Sequence, residues 1–246
     1  MADIHVSITA EKIFDLGFME VTNSMFTAWV VTIIASLVLL SIVTTLKKSP
    51  GVLQNIYESV YSFLYKTVDD ILGKKLTNEV FPLMLTLFIF ILFGSWFGLL
   101  PISGTLGFFE EHDGEKVGVP VFRAPTADIN MAIALALVVF FVIEYYGFKH
   151  HGLGYLKRFF NFSNPVNFFV GILDLVSDLM RILTFSFRLF GNIFAGEVII
   201  AVIVGLAGFL VLPFLAFEVF VGVIQALVFV MLTTVFISLA VEHSDH

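Results

Sequence analysis

The sequence of 246 residues contains no cysteine, and only 13% of its residues are charged. Without cysteine the chain forms no disulfide and offers no thiolate to a metal ion or as a nucleophile. The HExxH, GxSxG and P-loop motifs of zinc peptidases, serine hydrolases and nucleotide hydrolases are also missing. These absences place an enzyme with its own catalytic site last among the function classes. We expect neither a cofactor nor a metal site.

Apolar residues dominate instead. They make up 59% of the chain, and the mean hydropathy is +0.99. This share far exceeds that of a soluble domain, so the composition predicts an integral membrane protein. The net charge of -7 is spread over loops and chain ends, which argues against a nucleic-acid partner. Residues 1–20 carry acidic side chains and a single lysine, so we expect no cleaved signal peptide.

Runs of about twenty apolar residues are long enough to cross about 30 Å of hydrocarbon as a helix. Three such runs are predicted as spans, at residues 25–46, 81–100 and 129–148. Residues 50–72 alternate tyrosine and aliphatic side chains with charged ones, which predicts an amphipathic helix at the membrane surface that does not span. Residues 102–127 are rich in glycine, proline and acidic side chains and are predicted to form a polar loop outside the hydrocarbon.

The last two apolar runs, 165–204 and 213–241, are longer than a simple span requires. As helices they would measure about 60 Å and about 43 Å, so they must tilt, bend or break. Asn164 and Pro165 suit a helix start, and Gly205 to Gly208 suit a turn. The predicted fold is all-α: a single membrane domain over residues 1–246, with about five membrane-embedded helices, one interfacial helix and a long, tilted hairpin of the last two helices.

Basic residues follow the first and third spans and are scarcer on the other side. The richer set is Lys47, Lys48, Lys66, Lys74, Lys75, Lys149, Lys157 and Arg158, and the poorer set is Lys12, Lys116 and Arg123. The positive-inside rule then predicts an outside N-terminus and a cytoplasmic C-terminus. The odd number of spans and the lack of internal similarity argue against the paired repeats of many secondary transporters.

Arg188 lies near the middle of the run 165–204. A guanidinium stays charged at any ordinary pH, and burying it at a membrane helix centre costs about 2.5–3.5 kcal/mol on the mildest scale. At about 100° per residue, one stripe on this helix collects Asp174, Ser177, Asp178, Arg181, Arg188 and Asn192. Some function must therefore retain Arg188 and the polar stripe around it.

Glu197 lies on the opposite side of the same helix from Arg188. Glu218 and Gln225 are seven residues apart on the last helix and share a face. Hairpin geometry predicts that Glu218 comes to the level of Glu197 and that Gln225 approaches Arg188. Two separate polar routes would then reach one fixed cation from opposite sides of the membrane.

Structural roles remain open for several of these residues. Arg181 has Asp174, Asp178 or lipid headgroups as candidate partners, and the two aspartates also suit the start of a helix. Glu197 and Glu218 are also compatible with a structural pair that shares a proton, and Asn192 and Gln225 with interhelical hydrogen bonds. Asp128 fits a helix start better than a proton relay. A self-contained ion channel or secondary transporter is the alternative function.

Four motifs carry a family resemblance that covers nearly the whole chain. The stretch FRLFGNIFAGE at 187–197 resembles the signature of subunit a of the F-type ATP synthase membrane sector. IQAL at 224–227, followed by FVMLT at 229–233, resembles its last-helix motif, and PTADIN at 125–130 resembles the start of its central span. The stretch VTNSMFTAW at 21–29 fits as well.

The resemblance implies the stator half of a rotary proton motor in the bacterial plasma (inner) membrane. Its partners would be a c-subunit ring, b-type peripheral stalk subunits and membrane lipid, and its ion H⁺, with Na⁺ left open. Arg188 would exchange ions with the ring carboxylates, beside Gln225 and Asn192. Glu197 and Glu218 would line the outside half-channel, and Asp174, Ser177 and Asp178 the inside one.

Overall fold

The computed structural model describes residues 10–15, 17, 20–44, 51–100, 107–112, 115–152, 154–155, 159 and 164–242. Five long helices account for most of them: α1 Asn23–Thr44, α2 Val52–Gly98, α3 Ile129–His151, α4 Pro165–Ala207 and α5 Val211–Glu242. Each is long and apolar enough to cross a membrane. The predicted all-α membrane fold is confirmed. Lys47, Lys48, Lys157 and Arg158, which carried part of the orientation argument, lie outside the described residues.

Helix α2 contains both the predicted interfacial helix and the second span, joined at a sharp bend. Gly73 has φ 72° and ψ 154°, a conformation that is accessible to glycine and strained for other residues. Across this bend the Tyr65 hydroxyl donates to Asn78 Oδ1 at 2.8 Å, although 13 residues of straight helix would measure about 20 Å. Phe81 packs edge-on against the rings of Tyr61 and Tyr65. The amphipathic part therefore folds back against the base of the apolar part.

The segment predicted as a polar loop contains more structure than expected. Strands β3 Gly107–His112 and β4 Glu115–Pro120 form an antiparallel hairpin, and a 3-10 turn follows at Pro125–Ala127. A second small antiparallel pair, β1 Lys12–Asp15 with β2 Glu20–Thr22, precedes α1. The end of the predicted loop is buried, since Ala124 and Ala127 are 1% and 0% exposed. A Cβ at Gly98 would lie 2.5 Å from the Cβ of Ala124, so Gly98 lets this segment pack closely against α2.

Helices α4 and α5 form the predicted antiparallel hairpin. Three contacts descend along it: Asn192 with Gln225, Phe185 with Phe229, and Arg181 with Phe236. The turn lies slightly later than predicted, because α4 continues to Ala207 and a 3-10 turn, Gly208–Leu210, leads into α5. Helix α4 begins at Pro165 as expected, but the Asn164 side chain makes no capping hydrogen bond. At 43 residues without a break, α4 would measure about 65 Å, so tilt rather than a break adapts it to a membrane.

The helices contribute unequally to the hydrophobic core. Helix α5 packs most extensively against the apolar part of α2, with Ala226, Phe229, Val230 and Ile237 almost fully buried. Helix α4 contributes Phe185 and Leu189 to the same core, whereas one side of it exposes a long row of large apolar side chains. At one end of the bundle Lys149 on α3 pairs with Glu79 on α2, and His151 contacts the Val241 carbonyl at 2.8 Å. That end is the one predicted to face the cytoplasm.

Candidate functional site

Arg188 lies on the border between the packed and the unpacked side of α4. Leu189 beside it is fully buried, Phe187 on its other side is 57% exposed, and Arg188 itself is partly buried. The structure gives Arg188 no hydrogen bond and no ion pair with any of the residues it describes. The side chain therefore brings a fixed positive charge to the edge of the bundle without a carboxylate from the part of the chain that the structure describes.

Gln225 lies at the buried interface between α4 and α5, where it contacts a residue one helical turn from Arg188. It is 3% exposed, and its Oε1 accepts a hydrogen bond from Asn192 Nδ2 at 2.6 Å, so it joins Asn192 and not Arg188. Among the described residues Gln225 Nε2 has no hydrogen-bond partner, although it is buried. Asn192 is exposed and lies one turn beyond Arg188 on α4. The amide pair thus links the buried interior of the hairpin to its exposed surface close to Arg188.

The two glutamates meet in a small, partly open cavity. Glu197 and Glu218 line it together with Ser95, Gly98, Leu99, Ala124 and Ile193. Glu218 is 9% exposed, and its carboxyl group lies where a Cβ of Gly196 would otherwise be. Gly196 therefore permits α5 to bring this carboxyl group against α4 beside Glu197. Two carboxyl groups in one polar cavity are suited to binding and passing on a proton.

Arg123 is a member of this site that the sequence analysis missed. Its side chain is 9% exposed, its Nε lies 4.0 Å from Glu197 Oε2, and one guanidinium nitrogen donates to the Ala127 carbonyl at 3.2 Å. The sequence analysis used Arg123 only as a loop cation in the orientation argument. The available signal was its place two residues before the PTADIN motif, whose Asp128 caps α3 by accepting from the Asn130 backbone N–H at 3.1 Å. Asp128 is accordingly a helix-start residue.

The predicted inner residues separate into buried and exposed members. Asp178 is 2% exposed and pairs with Arg181 at 2.9 Å, and the Arg181 guanidinium lies 4.1 Å from the centre of the Phe236 ring. Ser177 is exposed and Asp174 is partly buried. The structure therefore joins Asp178 to the α5 side through Arg181, while Ser177 points away from the packed side of α4.

Comparison with known proteins identifies the family. The family described as ATP synthase A chain matches residues 25–238. The chain is 37% identical over 246 residues to ATP synthase subunit a of Gloeobacter violaceus, covering 98% of this chain and 93% of the relative. It is 38% identical over 210 residues to ATP synthase subunit a of Desulforamulus reducens, covering 81% and 71% of the two chains. It is also 34% identical over 236 residues to ATP synthase subunit a 2 of a Bradyrhizobium species, covering 95% of each. The chain belongs to the ATP synthase subunit a family.

Proposed function

We propose that this subunit a conducts protons between the two sides of the membrane through two offset polar routes, which meet at Arg188. Family membership favours the role of subunit a in an F-type ATP synthase over that of a self-contained channel or secondary transporter. The observation that carries the proposal is the charge of Arg188, which has no carboxylate partner among the described residues and stands at the border of an exposed apolar surface. Such a charge calls for a partner from another chain.

The partner is the ionised carboxylate of a c-subunit ring that turns against the exposed side of α4. This side presents Leu183 and Phe187 around Arg188 and further apolar residues along the helix, which suits an apolar ring surface and lipid. A unit-charge pair about 4 Å apart at an effective dielectric of 20 is worth about 4 kcal/mol. This stabilises the ionised carboxylate and still lets rotation exchange one ring carboxylate for the next. Gln225 and Asn192 place their amide groups next to the position where the ring carboxylates exchange.

The outer route runs through the cavity of Glu197 and Glu218, which the turn between α4 and α5 places at one end of the hairpin. The inner route follows Asp174, Ser177 and Asp178 from the other end of α4, with Asp178 held by Arg181. The positive-inside rule places the inner route on the cytoplasmic side of a bacterial plasma membrane, with the N-terminus outside. Arg188 separates the two routes, because a fixed cation repels a proton that would pass straight between them. The b-type stalk subunits hold this stator against rotation.

Replacing Arg188 with alanine tests the proposal. In the complete complex in membrane vesicles, Arg188→Ala is expected to reduce proton-driven ATP synthesis at least about 100-fold, as the loss of an essential electrostatic group does. The matched control is Thr184→Ala, one turn away on the exposed side, where the Thr184 hydroxyl bonds only to the Met180 carbonyl of its own helix. Its synthesis is expected to stay near normal. Normal synthesis by an assembled Arg188→Ala complex would overturn the proposal.

A further inference from the structure

Arg123 is anchored more firmly than an ordinary loop residue. Its backbone N–H donates to Thr27 Oγ1 on α1 at 3.1 Å, and its guanidinium donates to the Ala127 carbonyl at 3.2 Å. The next residue, Ala124, is wedged against Gly98 of α2. Contacts with α1, α2 and the 3-10 turn therefore fix the segment from which the guanidinium approaches Glu197.

The same segment contacts Glu197 twice. Arg123 Nε lies 4.0 Å from Glu197 Oε2, and the backbone N–H of Ala124 donates a hydrogen bond to the Glu197 carboxylate. Glu197 is partly exposed. The hydrogen bond from Ala124 favours one orientation of this carboxylate, and the nearby positive charge of Arg123 favours its ionised form.

The contact between Arg123 and Glu197 also affects Glu218, because the three groups share one total charge. The cavity is lined by Ser95, Gly98 and Leu99 of α2, by Ala124, by Ile193 and Glu197 of α4, and by Glu218 of α5. Arg123 precedes Ala124 and lies beside Glu197, and Asp128 is engaged at the α3 N-terminus. A guanidinium keeps its proton at any ordinary pH. Two carboxyl groups and one guanidinium are electrically neutral when the carboxyl groups hold one proton between them. A neutral site is the least costly arrangement for buried groups.

We propose that Arg123 is a positioning residue of the outer proton route, which orients Glu197 and balances its charge so that Glu197 and Glu218 together carry one exchangeable proton. The inference rests on the proposed function, because it assigns a role within the outer half-channel. A proton that arrives from outside binds to one carboxyl oxygen of the pair, and the same number of protons leaves toward the ring. Arg123 itself neither gains nor loses a proton.

The test compares variants of the complete complex in vesicles by measuring passive proton flux at matched amounts of assembled protein. Arg123→Gln is expected to lower the flux about tenfold, the size of a typical coupling between charged neighbours, and Arg123→Lys is expected to recover most of it because the charge remains. The double variant Arg123→Gln with Glu197→Gln is expected to match Glu197→Gln alone. Lys12→Gln, which removes an exposed cation near the N-terminus, is the control and should leave the flux unchanged.

A purely structural role for Arg123 predicts other results. The effects of Arg123→Gln and Glu197→Gln would then add, and Arg123→Lys would give no recovery; either result overturns the inference. Arg123→Gln alone could prevent assembly by leaving Glu197 without its cation. In that case the double variant, which lacks both charges, is expected to assemble and to match Glu197→Gln. Its failure to assemble would overturn the inference as well. Unchanged flux in both Glu197→Gln and Glu218→Gln would instead refute the outer route of the proposed function. Slowed flux in these two with normal flux in Arg123→Gln would refute only the inference about Arg123.

Discussion

Charged side chains are paired differently at the two ends and in the middle of the α4–α5 hairpin. We call the end near the turn between the helices, where the proposed outer route lies, the outer end. At the outer end the carboxylate of Glu197 faces Arg123 of the same chain, and Glu218 lies beside it in a lined cavity. In the middle Arg188 has no ionic partner among the described residues and borders an exposed surface. The difference supports the proposal that Arg123 and Glu197 interact within the chain, whereas Arg188 interacts with a second molecule.

The inner end resembles the outer end in this respect. Arg181 pairs with Asp178 and stacks on Phe236 of the neighbouring helix. Two of the three arginines near the hairpin thus have a carboxylate in their own chain, and both are largely buried. Removing one member of a buried ion pair leaves an uncompensated charge, so we expect these two arginines to stabilise the hairpin ends. In the proposed function Arg188 instead exchanges one partner for the next.

The largest effect within this comparison is expected at the outer cavity when both carboxyl groups are removed. Glu197→Gln together with Glu218→Gln should slow proton flux about 100-fold, the usual contribution of a positioned acid or base. Either single change should slow it only a few-fold, because the remaining acid and water can substitute. Passive flux and ATP synthesis in vesicles measure the effect. Normal flux in the double variant would show that protons reach Arg188 by another path.

At the inner end Arg181→Ala is expected to lower the stability of the subunit by about 2–4 kcal/mol, since it breaks an ion pair with a carboxylate that is 2% exposed. Thermal unfolding of the purified complex, or the amount that assembles, measures the loss. The companion variant Asp178→Leu with Arg181→Leu removes both charges and should recover most of the stability. If the double variant is as unstable as the single one, Arg181 stabilises the subunit by something other than the ion pair.

The smallest effect is expected at the exposed pair between Lys149 and Glu79. The two side chains are 42% and 39% exposed, so solvent screens their attraction. Lys149→Ala should leave the stability nearly unchanged, and any loss should shrink further at high salt. The same unfolding measurement at two ionic strengths checks this prediction. A loss as large as that of Arg181→Ala would mean that exposure does not separate the two kinds of pair.

The helices and the hairpin could be predicted from the sequence because a membrane imposes a length on every apolar run. That constraint placed α3 and the antiparallel arrangement of α4 and α5, in which Glu218 comes to the level of Glu197. Helix ends were less certain, since glycine is tolerated in a helix and α4 runs past Gly205 to Ala207. The division into a single domain remains a prediction.

The role of Arg123 could not be predicted because no periodic pattern reaches it. It lies in a segment without regular helix between β4 and the 3-10 turn, where neither a helical wheel nor hydropathy indicates burial. The packing of Ala124 against Gly98 and the hydrogen bond from the Arg123 backbone to Thr27 hold this segment inward. The hydrogen bond between Asn192 and Gln225 also depends on side-chain packing that residue spacing does not specify. The roles of Arg188, Asn192, Gln225 and the acidic residues remain proposals.

The central claim is that the partner of Arg188 belongs to another chain. The chain has no cysteine, so Leu183→Cys, on an exposed position of α4 near Arg188, gives a single reactive thiol. We expect it to form a disulfide, under mild oxidation of the intact complex, with a cysteine placed one turn from the ionisable carboxylate of the c subunit. Ile33→Cys on the exposed side of α1 is the control and should not react. Efficient cross-linking from Leu183 alone is the predicted result, and cross-linking from Ile33 but not from Leu183 would contradict the account.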